Sequence, residues 1–304
     1  MIFATECIPA GETIGLAGVG TMGKCMLNGL LNGGYQVVAY DPFPPAREYA
    51  AAHGAAVAES PAELAEKAKV IYMSLPKPQH VLDVVNGENG LMKNLTDKHI
   101  VVDTSTVDPE TSRTCAGIVA EKGAHYIDAP VLGRPSAAGK WLMPAGGERE
   151  CVEYLQPVFS CFAQKAVHVG GHGAGNVFKL LNQIMFSVIN GVSAEVMALT
   201  DVLGVDKKVF FDVVSKSGAA TVSGLFCENA GRIADDRYDD PTFTVELLCK
   251  DAGLGIQMAK DAGVTPLIGS YVHQINEHVR DEEGLAKKDT SAVVNYFREL
   301  YSGK

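Results

Sequence analysis

Residues Ile14 to Gly23 read IGLAGVGTMG, a short apolar strand that runs straight into Gly18-x-Gly20-x-x-Gly23. A second apolar run, YQVVAYD, ends at Asp41, eighteen residues after Gly23. Each glycine has a distinct task. Gly18 permits the tight turn out of the strand, and Gly20 lets the backbone come up against a pyrophosphate. Gly23 allows the following helix to pack closely on the sheet, its N-terminal N–H groups aimed at the phosphates. Gly-rich turns alone are common. One placed between a strand and a helix, with an acid at this distance, describes a dinucleotide-binding βαβ unit. Gly18, Val19, Gly20, Thr21, Met22 and Gly23 are therefore the expected phosphate cradle, and Asp41 the acceptor for the adenosine ribose hydroxyls. A carboxylate at that point accepts from the 2′-hydroxyl and repels a 2′-phosphate, which favours NAD over NADP. The nearest base after Asp41-Pro42-Phe43-Pro44-Pro45 is Arg47.

From Thr13 to about Gly170 apolar runs alternate with amphipathic segments. The expected strands are Thr13–Ala17, Gln36–Tyr40, Val70–Ser74, Ile100–Asp103, His125–Ala129, Leu142–Gly146 and Ala166–His168, with helices such as Thr21–Asn32, Pro45–His53 and Pro61–Ala68 between them. Ser60-Pro61-x-Glu63 is a helix start: a capping serine, proline at the first helical position, and an early acid. This alternation implies an α/β, Rossmann-like domain with a mostly parallel sheet covered on both faces. After Gly175 the pattern changes. Residues 176–203 form one long apolar helical stretch, interrupted only by Gly191, and further helical spacing continues to Leu300 with no convincing strand. The expected organisation is a dinucleotide-binding domain over 1–175, a long connecting helix, and an all-α domain over 176–304.

The 304-residue length suits two domains. A net charge of −10 argues against a nucleic-acid surface. No window approaches the roughly 18 consecutive apolar residues of a membrane span, and the first residues lack the basic start of a targeting signal. Seven cysteines, odd in number and without a Cys-x-x-Cys pair, fit reduced thiols in a cytoplasmic setting. The eight histidines do not cluster at metal-ligand spacings along the chain, so no metal is expected.

The run GGHGAG (170–175) leads into Asn176-Val177-Phe178-Lys179-Leu180-Leu181-Asn182-Gln183. A lysine this near a helix N-terminus opposes the macrodipole, which favours anions there. In a cleft, the dipole and a neighbouring nicotinamide cation would both lower its pKa and make it a better proton acceptor near neutrality. Gln183 lies one turn on along the same face, with Asn182 beside it. From these residues alone, a solvated surface lysine followed by a polar pair fits as well.

The Gly-x-Gly-x-Met-Gly turn, Asp103-Thr104-Ser105-Thr106, Asp128-Ala129-Pro130-Val131, the Gly-rich entry to Lys179, and Lys250-Asp251 occur in order, followed by Asp289-x-Ser291-Ala292. Together they resemble the β-hydroxyacid dehydrogenase family, which includes 3-hydroxyisobutyrate dehydrogenase and tartronate semialdehyde reductase. The resemblance implies a Rossmann-like domain and a helical domain that forms homodimers or homotetramers. It also implies reversible hydride transfer to or from a small anionic 3-hydroxy acid or its semialdehyde. Lys179 would be the general acid/base, taking the hydroxyl proton during oxidation or donating one during reduction. Thr106 would stand at both nicotinamide and substrate, Leu75 and Pro76 would line the cofactor cleft, and Lys250 would close over the cofactor.

Three positions depart from the family pattern. Ser-Gly-Gly, which holds the substrate carboxylate in the family, is replaced by Leu132-Gly133-Arg134-Pro135. A hydroxyl is lost and a guanidinium able to fork onto a carboxylate, sulfonate or phosphate is gained. The second of two asparagines after the lysine is Gln183, which keeps the amide but shifts its reach. Lys-Asp-Leu becomes Lys250-Asp251-Ala252. Trp141, the only tryptophan, is expected in the core, and His172 in a loop. An imine reductase-like or sulfolactaldehyde reductase-like enzyme, or a non-catalytic NAD-binding module, are the alternative readings.

Overall fold

The computed structural model describes residues 7–219, 221 and 223–302, and the chain divides into two compact units, Met1–Lys179 and Leu180–Lys304. The N-terminal unit is built on eight strands: β1 (Thr13–Ala17), β2 (Gln36–Tyr40), β3 (Ala56–Val57), β4 (Val70–Met73), β5 (Ile100–Asp103), β6 (His125–Asp128), β7 (Leu142–Gly146) and β8 (Lys165–Gly170). They form one sheet in the order β3-β2-β1-β4-β5-β6-β7-β8. Helices α1 (Thr21–Asn32), α2 (Pro44–Ala52), α3 (Pro61–Lys67), α4 (Pro78–Asn86), α5 (Pro109–Ala120), α6 (Arg149–Tyr154) and α7 (Gln156–Phe159) connect them. One apolar cluster on each face of the sheet buries both surfaces of the strands.

Local chemistry sets these boundaries. Ser60 Oγ accepts from Glu63 N at 3.3 Å, and Glu63 Oε2 accepts from Glu59 N at 2.7 Å, so α3 begins where the sequence places it. The strands β1, β2, β4, β5 and β6 run parallel, so their C-terminal ends share one edge. Strand β7 runs antiparallel to β6 through the pair Asp128↔Gly146. A parallel return would need a crossover helix, and residues 129–141 supply only the short 3₁₀ turn Pro135–Ala137. Strand β3 escapes the sequence pattern, because two residues are too few to show an alternation.

Helix α8 (Ala174–Val202) starts in the N-terminal unit and continues into the C-terminal one, which adds α9 (Lys207–Lys216), α10 (Gly224–Ala234), α11 (Val245–Asp261), α12 (Leu267–Asp281) and α13 (Val294–Ser302). By length and composition α8 could cross a membrane. Two of its buried polar side chains find partners elsewhere in that unit. Asn190 Nδ2 donates to Thr290 O at 3.1 Å, and Ser187 Oγ accepts from Asn276 Nδ2 at 2.8 Å. Ala194, Met197 and Ala198 of α8 pack in the apolar core of the C-terminal unit. Gly191 lets α12 pack closely on α8, since a Cβ would lie 2.8 Å from Val272 Cγ1.

Two helical glycines separate propensity from packing. Replacing glycine by alanine favours a helix by up to about 1 kcal/mol. At Gly117, on the exposed side of α5, a Cβ meets nothing within 4 Å, whereas at Gly29 in α1 it would lie 2.5 Å from Cys161 O. Overpacking against backbone costs about 1–3 kcal/mol, which outweighs propensity. Gly117→Ala should therefore raise the melting temperature and Gly29→Ala should lower it, read by thermal denaturation of both variants beside the parent.

Candidate active site

The shared edge of the parallel strands is where the loops with functional residues emerge. Gly18 has φ +95° and donates to Tyr40 O at 2.8 Å. A Cβ on Gly18 would sit 2.3 Å from Ser74 O, and one on Gly23 would sit 2.0 Å from Gly18 O. A Cβ on Gly20 meets nothing within 4 Å. Two glycines are thus pressed into the fold, and the third leaves its backbone open. Val19 is buried, Gly20 and Thr21 are exposed, and Met22 is half-buried on the apolar core.

Asp41 reaches across this turn. Its Oδ2 accepts from Val19 N at 2.8 Å and its Oδ1 from Phe43 N at 2.9 Å. Arg47 is anchored beside it, Nη1 donating to Asp41 O at 2.8 Å and to Pro42 O at 3.2 Å.

The loops after β4 and β5 are tied together, with Leu75 N donating to Ser105 Oγ at 2.9 Å. Leu75 is half-buried, Pro76 exposed and Thr106 half-buried, all at this edge. Beneath them Asp103 is fully buried, accepting from Ser105 N on Oδ1 and from Tyr126 OH on Oδ2, both at 2.9 Å. Burial pushes its carboxyl up to about 6, against the opposing pull of the Ser105 and Tyr126 hydrogen bonds.

Lys179 lies in the second turn of α8 and is buried. That helix start is fixed by Asp128, whose Oδ1 accepts from Gly173 N at 2.7 Å and whose Oδ2 accepts from Asn176 N at 3.0 Å. Burial raises the Asp128 pKa, and those two backbone donors oppose the rise. Asn176, itself buried, accepts from Val107 N at 3.2 Å and donates to Ser112 Oγ at 3.1 Å. The helix bearing Lys179 is therefore tied to the end of β6, to the Thr106 loop and to α5.

The loop at Leu132–Arg134 is organised by Trp141. Leu132 bridges Leu142, and Trp141 Nε1 donates to Arg134 O at 2.8 Å. Gly133 has φ +156°, and a Cβ there would lie 2.4 Å from Trp141 Cδ1. Trp141 is in the core as expected, but its indole N–H also holds the Arg134 backbone. In the C-terminal unit, Gln183 Nε2 donates to Asp251 Oδ2 at 2.7 Å, Asn182 Nδ2 to Gln183 Oε1 at 3.3 Å, and Lys250 Nζ pairs with Asp251 Oδ1 at 2.8 Å. Gln183, Asn182 and Lys250 thus share one network centred on a buried carboxylate.

The first residues match the NAD binding domain of 6-phosphogluconate dehydrogenase over 13–171, and the remainder matches the NAD-binding region of NADP-dependent 3-hydroxyisobutyrate dehydrogenase over 173–297. This chain belongs to the β-hydroxyacid dehydrogenase family. It is 32% identical to the mitochondrial 3-hydroxyisobutyrate dehydrogenase of Mus musculus, over 94% of this chain and 87% of that protein. It is also 32% identical to the 3-sulfolactaldehyde reductase of Escherichia coli K12, over 94% and 95% respectively. The crystal structure of a Salmonella typhimurium 3-hydroxyisobutyrate dehydrogenase superposes with a TM-score of 0.85 at 26% identity, covering 94% of this chain and all (100%) of that one. As a β-hydroxyacid dehydrogenase the chain is an oxidoreductase acting on hydroxyl groups, and the open backbone at Gly20 fits the dinucleotide its family models describe.

Sequence reasoning passed over the carboxylates that position the others. Asp128 stood only as part of a motif, and Asp103, Ser105, Asn176 and Asp251 had no assigned task. Their available signal was polarity at the C-terminal end of an apolar strand or inside an apolar helix, where an unpartnered group is costly.

The buried Asp103 makes stability depend on pH. Folded, it keeps its proton to about pH 6, whereas its ordinary value is 3.8. Between these values the folded state binds more protons than the unfolded state, so the Asp103 contribution to stability falls as pH rises. Asp103→Asn should gain on the parent protein by roughly 2 kcal/mol on going from about pH 4 to about pH 8. Urea denaturation at both pH values measures the difference.

Proposed function

We propose that this protein is an NAD-dependent dehydrogenase or reductase that interconverts a small anionic 3-hydroxy acid and its semialdehyde, with Lys179 as the general acid/base. The observation that carries this reading is the fixing of the Lys179 helix by Asp128 and Asn176 at the edge where Thr106 emerges. A bound nicotinamide dinucleotide would accept the hydride in oxidation and return it in reduction. The work of this chain is to hold substrate and move the proton. In the oxidation direction, neutral Lys179 takes the substrate hydroxyl proton on Nζ. In reduction, its ammonium donates that proton to the carbonyl oxygen and stabilises the charge developing there. Thr106, Leu132, Gly133, Asn182 and Gln183 are the proposed substrate contacts, with Arg134 forking onto the anionic group. Gly18, Val19, Gly20, Thr21, Met22, Gly23, Asp41, Leu75, Pro76, Thr106 and Lys250 are proposed for the cofactor.

Arg134 also favours a second reading, reduction of a sulfonated aldehyde, because a guanidinium serves a sulfonate as well as a carboxylate. Coupled assays with short carboxylated and sulfonated hydroxy acids and aldehydes separate the two. On whichever substrate turns over, Lys179→Ala should lower kcat by about 10²–10⁴-fold while NADH binding, measured by titration, persists. Full activity in Lys179→Ala would remove the acid/base role. Binding without turnover of any substrate would favour a non-catalytic module.

The preference for NAD rests on Asp41. Its carboxylate would repel a nearby 2′-phosphate, and the Arg47 Nη1 beside it is held by the carbonyls of Asp41 and Pro42. Asp41→Asn keeps an acceptor for one backbone N–H and removes the charge. The ratio of kcat/KM for NAD over NADP should fall by about tenfold or more. An unchanged ratio would take the discrimination away from Asp41.

A further inference from the structure

A cluster of side chains in the N-terminal unit has no part in the proposed chemistry. His125 opens β6, Glu148 caps α6 just after β7, and Cys151 lies in the first turn of α6. The three are distant or oddly spaced in sequence, and the antiparallel pairing of β7 with β6 brings them together. The His125 ring nitrogen, a Glu148 carboxylate oxygen and Cys151 Sγ all lie within 4.8 Å of one another. His125 Nδ1 is 3.7 Å from Glu148 Oε1. Ligand atoms around a tetrahedral ion with bonds of about 2.0–2.3 Å stand roughly 3.3–3.7 Å apart, so small side-chain rotations close the set.

The far side of the carboxylate carries a second observation. His172 Nε2 stands 3.5 Å from Glu148 Oε2, and both atoms are shut off from solvent without a completed hydrogen bond. Ligating carboxylates are themselves held by hydrogen bonds from outside the coordination shell, and His172 stands where a small rotation would give one to Glu148. Cys151 is buried, while His125 and Glu148 are each partly open to water, which leaves an entry path and a position for a water ligand.

We propose that His125, Glu148 and Cys151 form a divalent transition-metal site, best suited to Zn²⁺, with His172 holding Glu148 in place from behind. The donor set of one imidazole nitrogen, one carboxylate oxygen and one sulfur favours Zn²⁺ over Mg²⁺ or Ca²⁺, which take oxygen ligands. Binding exchanges the Cys151 thiol proton for the metal, as any thiol ligand requires, and no electron changes hands. The site would bear on activity through His172, which lies in the Gly-rich run just before the helix of Lys179.

The test needs no turnover, so its outcome is independent of the proposed function. The full chain, freed of metal by chelator and dialysed, is titrated with Zn²⁺ by calorimetry and with Co²⁺ by absorption. The parent should bind one Zn²⁺ per chain, and Co²⁺ should give a thiolate-to-metal charge-transfer band. His125→Ala, at a partly exposed position, should weaken binding at least tenfold, and His172→Gln by about tenfold. Cys151→Ser should abolish the charge-transfer band. The proposal is overturned if no stoichiometric binding occurs, or if binding and the band survive His125→Ala unchanged. Should Cys151→Ser fail to fold, the His125→Ala comparison still decides.

Discussion

The carboxylate of Asp128 joins the sheet to the helix that bears Lys179, and both sides need the contact. A helix start leaves several backbone N–H groups unsatisfied and carries a partial positive charge. A carboxylate buried at a strand end is costly unless donors meet it. Gly173 N and Asn176 N meet it from one side of α8, each requirement answering the other. The contact also explains the glycines around it. Gly173 sits at φ +88°, and a Cβ on Gly175 would lie 2.3 Å from Asp128 O. The helix can come this close only because that residue has no side chain. Asn176 then fixes rotation about the helix axis through Val107 N and Ser112 Oγ. A proton donor loses much of its value if misplaced by about 1 Å, so in the role proposed for Lys179 the clamp and the lysine form one device.

The cofactor side of the edge is built on the same economy of short contacts. Gly18 and Gly23 let the turn press on β4 and on itself, while Asp41 closes over it through Val19 N. The next loops are linked by Leu75 N to Ser105 Oγ, and Ser105 N rests on the buried Asp103. A chain of backbone-to-side-chain bonds thus runs along the ends of β1, β4 and β5. Rigid strands carry the loops, and buried acids set their spacing.

How much of this could be read beforehand follows from which forces are local. The first two strands, β5, β7 and α1 lie where the apolar period places them, because burial on a regular element leaves a regular pattern. The capped start of α3 was legible for the same reason: Ser60 and Glu63 act within one turn. The two-residue β3 left no period to read. The direction of β7 was hidden, since an apolar run reads alike in both directions, and only the missing helix between Val131 and Trp141 signalled the reversal. The positioning acids were invisible as such. Nothing in Asp128-Ala129-Pro130 reveals that its carboxylate will meet a helix 45 residues later. Likewise, His125 and Glu148 meet only because β7 turns back beside β6.

The loop that departs from the family pattern is held by its own local means. Trp141 fills the space a Gly133 side chain would need and takes the Arg134 carbonyl as its hydrogen-bond acceptor. The indole is buried in the sheet's apolar cluster, so the loop backbone is anchored by core packing. Leu132 and Arg134 can then differ from a serine-bearing loop without disturbing β6, β7 or the Asp128 clamp. The roles proposed for Asp41 and Lys179 draw on contacts spread across the strand ends. The Leu132–Arg134 loop draws on one tryptophan and one glycine. If Arg134 recognises the anion as proposed, a change there leaves the rest of the edge intact, because the loop that carries it shares none of the bonds that hold the strand ends.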